Sequence, residues 1–365
     1  MSRFKIILKR SLVTILGLVL IVFLFGYWFF SLIPAPDKEN NIRLSQVQSI
    51  PYLNENPVEY RGRILAVVTS AGTMGSSGKP TGYELTELSR AYYVFQANGW
   101  EVDVASPKGG EPPVIIDDED MGIYDYAFLN DAAAQYKIRH TLAMSDVEPS
   151  RYDAIYFAGG KGAMYDFPDN PHIQSVVKAF DQSGKVMGAV CHGPAALVNV
   201  RLEGGRSMLA DRKVCGFTNE EELFLIPDAQ TIFPFLLEDK LADCGAHFQE
   251  GQMYLENVVQ DQNLITGQNP WSTWTMAETM VKALGYPPKS RIKTPEENTI
   301  QVLGIFHTQG YESAKSRIST MMHEGRALDR TLLAMHSIVA AMQWDLVKTI
   351  KLIALLKHAK DEFEQ

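Results

Sequence analysis

Residues 184–197 read GKVMGAVCHGPAAL. An apolar run of strand length, Val186–Val190, ends in the thiol Cys191 and turns through His192, Gly193 and Pro194 into a helical stretch, Pro194–Val198. A strand, a sharp turn and a helix with a nucleophilic side chain at the turn is the layout of a nucleophile elbow, in which the next residue's N–H helps to bind an oxyanion. A cysteine ahead of a helix also meets the positive end of its dipole, which predicts a lowered thiol pKa. The competing reading is a buried, inert cysteine, the usual fate of a free thiol.

Working outward, apolar runs of strand length at Ile64–Thr69, Val102–Ala105 and Ala154–Ala158 alternate with helical patterns at Tyr83–Asn98 and Ile173–Gln182. This β/α alternation predicts an α/β fold with a parallel sheet covered on both faces. Ligands of such sheets bind beyond the strand C-termini, here after Thr69, Ala158 and Val190. Ala158 is followed by Gly159-Gly160-Lys161-Gly162, a turn whose backbone N–H groups can come close to a ligand.

The chain has 365 residues, a net charge of −9 and three cysteines, with 46% hydrophobic and 21% charged residues. This excludes a disordered chain, a disulfide-stapled miniprotein and a basic nucleic-acid binder. Charge is uneven: +4 over residues 1–33 and +2 over 288–365 leave −15 for residues 34–287. Within the head, Leu12–Ile33 runs 22 residues without a charge, long enough for a transmembrane helix. Arg3, Lys5, Lys9 and Arg10 precede it and Asp37, Lys38, Glu39 and Arg43 follow, so the positive-inside bias puts the N-terminus in the cytoplasm and the bulk of the chain outside. Tyr27 and Trp28 suit the interface at the exit. A cleaved signal peptide is the rival, against which stand the length of the run and Pro34 and Pro36 crowding Ala35; a buried core helix is weaker, since no polar face is marked. Residues 34–61, with four prolines, read as a linker of little regular structure. The organisation expected is an anchor to residue 33, a linker 34–61, a domain 62–287 and a helical extension 288–365.

The stretches DAIYFAGGKGAMYDFPDNP (153–171), GKVMGAVCHGPAAL (184–197), GFTNEEE (216–222), PFLLEDKL (234–241) and LITGQNP (264–270) resemble the ThiJ/PfpI superfamily. They are most similar to its branch of glyoxalase III, protein deglycase and heat-shock chaperone proteins. The likeness extends back through ELTELSRAYYVFQANGWEV (84–102) and ASPKGGEPP (105–113), covering about residues 62–287. It implies a flavodoxin-like, doubly wound sheet and a Cys–His–acid site without metal or cofactor. Carried over, the nucleophile is Cys191 and its neighbour His192. The carboxyl that hydrogen-bonds the thiolate and can shuttle a proton is Glu87. The third acid is Glu222, with Glu220 and Glu221 as neighbouring alternatives, and the oxyanion donors are the N–H groups of Gly160 and His192. Two departures stand out: Lys161 replaces a histidine in the family's GGHG turn, and Ala91 replaces a proline near Glu87.

The function so implied is a membrane-anchored, glutathione-independent enzyme, a lyase or hydrolase of the glyoxalase III type. It would act on 2-oxoaldehydes such as methylglyoxal, or on early glycated groups, to give a 2-hydroxy acid. The alternatives are a stress-related chaperone or cysteine redox sensor without turnover and a glutamine amidotransferase. The last lacks its late His-x-Glu pair near Gly267-Gln268-Asn269-Pro270. Cys215 and Cys244 are read as buried free thiols rather than a pair. His140, His172 and His247 are read as structural or solvent-facing, with no metal-ligand spacing. Membrane contact through residues 12–33 and a homodimer complete the expected partners; nucleic acid is not among them.

In the tail, helical patterns cover roughly 311–323 and 327–359. In the second, Leu332, Met335, Val339, Met342, Leu346, Ile350 and Ile353 recur at spacings of three and four, predicting one apolar face. That face would pack on the tail's other helix, the core domain or a second subunit; the alternative is an interfacial helix on the membrane, given Lys348, Lys351, Lys357 and Lys360.

Overall fold

The computed structural model describes residues 3–34, 41–117 and 120–364, with the side chains of residues 3–10 left aside. Asp37, Lys38, Glu39 and Ala35 lie outside the described residues, as do the side chains of Arg3, Lys5, Lys9 and Arg10. The chain forms two compact units: Met1–Lys38 together with Lys293–Gln365, and Glu39–Ile292.

The first unit begins with helix α1 (Arg3–Phe30), in which Ser11–Phe30 is long and apolar enough to cross a membrane. Its apolar side chains from Leu12 to Phe25 are exposed all round, so no stripe directs it into a core.

The second unit is built on a seven-stranded sheet: β1 (Gly62–Val67), β2 (Trp100–Ser106), β3 (Leu142–Ala143), β4 (Ala154–Phe157), β5 (Val186–Val190), β6 (Val258–Asp261) and β7 (Leu264–Gly267). Their order is β6-β7-β5-β4-β1-β2-β3, all parallel except β6 against β7. The run β2-β1-β4-β5-β7 is the doubly wound order whose ligand crevice opens where the winding reverses, between β1 and β4. Strands β4 and β5 are buried along their whole length, which requires apolar residues on both faces and explains their runs of Ala, Ile, Val, Tyr, Phe and Met, with Gly188 the one residue lacking a side chain. Register places Val67 beside Phe157 and Phe157 beside Ala189. Three strands therefore end level, and the residues that follow them gather at one edge.

Helix α2 (Leu85–Ala97) is buried at all but one position, Gln96, and packs against α5 (Thr273–Ala283). Helix α3 (Pro171–Gln182) starts on Asn170, whose side chain accepts from the N–H groups of His172 and Ile173, and lies against β5. The short α4 (Asn219–Leu225) starts after its cap, Thr218. Strands β3, β6 and β7 and helix α5 are additions to the four strands and the helices read from periodicity.

Two expectations change here. The stretch after Cys191 is a four-residue 3-10 turn, Gly193–Ala196, rather than an α-helix. Residues 41–54, expected as part of an irregular stalk, form the helical turns Asn41–Leu44, Val47–Ser49 and Pro51–Asn54, and Ile50 and Tyr52 are buried. Buried Asn98 fastens them: its amide nitrogen donates to the Tyr52 hydroxyl (3.1 Å) and to the Val94 carbonyl (2.8 Å), and its oxygen accepts from the N–H of Lys289 (2.7 Å).

The remaining helices of the first unit are α6 (Pro295–Gln309), α7 (Tyr311–His323), α8 (Arg330–Met342) and α9 (Leu346–Phe363), with α6 on α7, α7 on α9 and α8 on α9. Helix α6 escaped the periodicity reading although Thr294 and Glu297 form a capping box at its start. The single helix expected over 327–359 is broken: Trp344 takes φ +62°, a left-handed conformation costing a side-chain-bearing residue about 1–2 kcal/mol. The break shifts the phase of the apolar stripe. Leu332 is buried as expected, but Met342, Leu346 and Ile350 are exposed, while Leu352, Leu355, Leu356 and Ala359 take the packed side of α9.

Replacing Asn98 with Leu takes the acceptor from the part-buried Lys289 N–H and the donor from the buried Tyr52 hydroxyl. Such a loss costs about 2 kcal/mol, and the urea-unfolding midpoint of the Asn98→Leu protein is expected to fall accordingly.

Candidate active site

Cys191 sits at φ +58°, a region that side-chain-bearing residues seldom occupy. Neighbouring backbone holds it there. Its N–H donates to the Gly267 carbonyl at the end of β7 (2.9 Å), and its carbonyl accepts from the N–H of Phe217 (3.0 Å). Gly193 lets the chain turn away at once, since a Cβ there would stand 2.4 Å from the Phe157 carbonyl oxygen of β4. Residues kept in such conformations by over-determined surroundings concentrate at functional sites.

The Cys191 Sγ lies 3.3 Å from Nδ1 of His192, and Nε2 of His192 lies 2.6 Å from Oε2 of Glu222. The imidazole is buried, with its ring 4.8 Å from that of Phe217 and 6.1 Å from that of Phe233, centroid to centroid. Glu222 comes from α4, and its neighbour has a different task. Thr218 caps α4 by accepting from the N–H of Glu221, whose Oε2 accepts in return from the N–H of Thr218 (3.0 Å). The other Glu221 oxygen accepts from the N–H of Tyr254 (2.8 Å) and from the side-chain amides of Gln268 (3.1 Å) and Asn269 (2.9 Å). Glu220 is exposed. Of three successive glutamates, Glu222 meets the histidine because neighbours on a helix point about 100° apart.

Glu87 occupies the first turn of α2 and is fully buried. Its Oε2 accepts from the N–H of Gly159 (2.6 Å), its carbonyl accepts from the Tyr156 hydroxyl (2.7 Å), and its Oε1 has no hydrogen-bond partner among the described residues. Burial, with the nearby Glu84, pushes the carboxyl up to about 8, so it carries a proton at neutral pH. Burial and Glu87 also push the Cys191 thiol well above its ordinary range, with Lys161 acting in the opposite sense. This reverses the expectation of a thiol acidified by a helix. A single 3-10 turn has little dipole to offer, and Cys191, at 5% exposure, loses the solvation of its charged form.

Gly160 takes φ +92°, and a Cβ there would stand 2.4 Å from the Gly82 carbonyl oxygen, so only glycine lets this turn lie against the backbone ahead of α2. The N–H groups of Gly160 and His192 donate to no group among the described residues. Cys191, His192, Glu87, Glu222 and Gly160 thus all lie at the C-terminal edge of β4 and β5.

Sequence reasoning missed two contributors and gave a third only as an alternative. Glu84, the residue before α2, is pushed up to about 7 by burial, with Lys161 opposing. Asp166 accepts from the Thr69 hydroxyl and the Ser70 N–H (both 2.7 Å), holding the loop after β1, and burial raises it to about 6. Glu221 was named only as an alternative, although the Thr-x-x-Glu spacing at 218–221 signals its capping role. Cys215 and Cys244 are buried and unbridged, and His140, His172 and His247 are exposed. Among the described residues no group of three or more His, Cys, Asp and Glu is arranged to hold a metal ion.

The raised Glu87 has a sign that can be checked. Its folded pKa of about 8 exceeds the unfolded 4.5, so the folded state holds the extra proton and stability falls as pH rises between those values. Thermal unfolding of the wild type is expected to drop over this window, and the Glu87→Gln protein to drop less. Equal slopes would contradict a protonated Glu87.

The DJ-1/PfpI family pattern matches residues 79–215. Glyoxalase 3 of Candida albicans is 27% identical over 236 residues, covering 60% of this chain and 97% of that protein. A glutathione-independent glyoxalase of Schizosaccharomyces pombe is 28% identical over 236 residues, covering 61% and 98%. The solved structure of the Rapid Encystment Protein 24 KDa of Francisella tularensis is 36% identical with a TM-score of 0.58, covering 61% of this chain and 99% of that one. On these likenesses the chain belongs to the DJ-1/PfpI family, in the glyoxalase III branch of the ThiJ/PfpI superfamily.

Proposed function

We propose that the protein is a glutathione-independent glyoxalase that converts a 2-oxoaldehyde such as methylglyoxal into the 2-hydroxy acid by way of a thioester on Cys191. One observation carries the reading: a left-handed cysteine stands between a His192–Glu222 pair and a buried, protonated carboxyl. Relatives named as glyoxalases add support.

The site's protons fit the reaction. Cys191 transfers its proton to His192 and adds through sulfur to the aldehyde carbon. The new alkoxide is met by the N–H groups of Gly160 and His192 and takes the proton of Glu87. Glu87, now a carboxylate, removes hydrogen from the former aldehyde carbon and returns it to the neighbouring carbon, giving a 2-hydroxyacyl thioester. The hydroxyl proton on the former aldehyde oxygen passes to the neighbouring oxygen, and His192 returns to Glu87 the proton it took from Cys191. The neutral imidazole, with Glu222 holding the ring, then deprotonates water, which releases the 2-hydroxy acid, and hands that proton to the leaving sulfur. The sum is substrate plus water, with no redox partner. A high thiol pKa suits this sequence, because the base acts only as the electrophile arrives. It suits a redox sensor poorly, since such cysteines are accessible and acidic. Deglycation of early methylglyoxal adducts would share the first steps.

The same reading takes α1 as a membrane anchor with a cytoplasmic N-terminus. A reporter fused after residue 34 should register the far side of the membrane; a cytoplasmic signal would reverse the assignment.

Purified full-length protein is expected to form lactate from methylglyoxal without glutathione. Cys191→Ala should abolish turnover and Glu87→Gln should lower kcat by roughly 10²–10⁴-fold, the usual contribution of a positioned acid–base group. Undiminished lactate formation by the Cys191→Ala protein would sink the mechanism.

A further inference from the structure

The broken helix of the first unit leaves a concentrated apolar surface at its hairpin tip. Met342, Trp344, Leu346, Val347 and Ile350 are all exposed within nine consecutive residues, Trp344 at 87% and Ile350 at 68%. The N–H of Trp344 donates to the Ala341 carbonyl and that of Asp345 to the Ala340 carbonyl (both 3.0 Å), closing the end of α8. Glycine serves best at such a left-handed closing position. The backbone gains nothing from tryptophan there, and the indole packs on almost nothing.

Charge narrows what this surface can meet. Half-buried Lys348 lies within the apolar stretch and exposed Lys351 follows it, and neither forms an ion pair among the described residues, whereas Asp345 is engaged as the cap of α9, accepting from the N–H of Lys348 (2.9 Å). A symmetric contact with a second copy would bring these lysines against their own counterparts. An anionic lipid surface meets both features, with rings and aliphatic chains entering the headgroup–acyl boundary while lysines reach phosphate.

Position points the same way. The hairpin belongs to the same compact unit as α1. The Lys360 Nζ donates to the Ser31 carbonyl (3.0 Å), one residue beyond the end of α1. Ile350 lies ten residues earlier on α9, about 15 Å along the helix. We propose that the α8–α9 tip, through Trp344, Leu346, Val347, Ile350, Lys348 and Lys351, docks on the surface of the bilayer that α1 crosses. This rests on reading α1 as a membrane span; the tether then supplies a high local concentration, so a modest patch suffices.

The test uses the full chain carrying Cys191→Ser, reconstituted into phosphatidylcholine vesicles with and without phosphatidylglycerol. A fluorescent label is attached through Val347→Cys, or through Ser316→Cys on the exposed side of α7 as a control, and bromine-labelled lipids serve as quenchers. Quenching of at least about twofold is expected at 347 and none at 316, stronger with the anionic lipid. It should be lost when Trp344→Gly, Leu346→Glu and Ile350→Glu are combined, changes confined to exposed positions. Carbonate extraction tests α1 separately. An unquenched label at 347 on protein that carbonate leaves in the vesicles overturns docking and spares the anchor, whereas stripping by carbonate with no quenching overturns both. Shielding at 347 that follows dimer formation in detergent, without bromine quenching, assigns the surface to a second copy and also overturns the proposal.

Discussion

The site depends on one constraint, the left-handed backbone of Cys191. Its N–H is bonded to the Gly267 carbonyl and its carbonyl to the Phe217 N–H, so β7 and the segment leading to α4 clamp it from two directions. Everything else in the site is referred to that clamp. Phe217 precedes Thr218, which caps the helix carrying Glu222. Gly267 precedes Gln268 and Asn269, which bind Glu221 and so hold the same helix. The elbow and the acid that orients its histidine therefore share a single hydrogen-bonded framework, and strain at the cysteine is borne by bonds that also position the chemistry.

Burial sets the electrostatics. The acidic middle of the chain places Glu84, Glu87 and Cys191 in a space where each charged form is costly, and all three ionise at higher pH than usual. Lys161 favours ionisation of all three, from the turn position where the family carries a histidine. The result is a site that holds protons at neutral pH, which fits the proposed transfer of protons between substrate atoms better than a standing thiolate would.

Much of the fold was legible because fully buried parallel strands need unbroken apolar runs. Val186–Val190 keeps the bounds the sequence suggests, and Ala154 and Trp100 begin strands within two residues of where periodicity starts them. Short or edge strands such as Leu142–Ala143 and Val258–Asp261 carry no such run and went unread. The 327–359 stripe misled for a related reason: spacing of three and four persists through Trp344 and Asp345, but periodicity does not register a left-handed residue, and a break of one turn rotates every later position.

Whereas Glu87 was reached only through the family resemblance, the sequence by itself determined a thiol at the end of a buried strand, a glycine turn after another strand and the helix over 83–98. Local pattern suffices for these, because strand burial, turn chemistry and helix phase are each set within a few residues. Tertiary structure alone decided that Glu221, left open beside Glu222, is taken up by Tyr254, Gln268 and Asn269, that the Cys191 thiol is raised rather than lowered, and that Met342, Leu346 and Ile350 stay outside the packed core of their unit. Each of those depends on desolvation or on a partner dozens of residues away, such as Gln268 and Asn269 for Glu221 or Glu87 for the thiol, and neither quantity is written in a neighbouring residue.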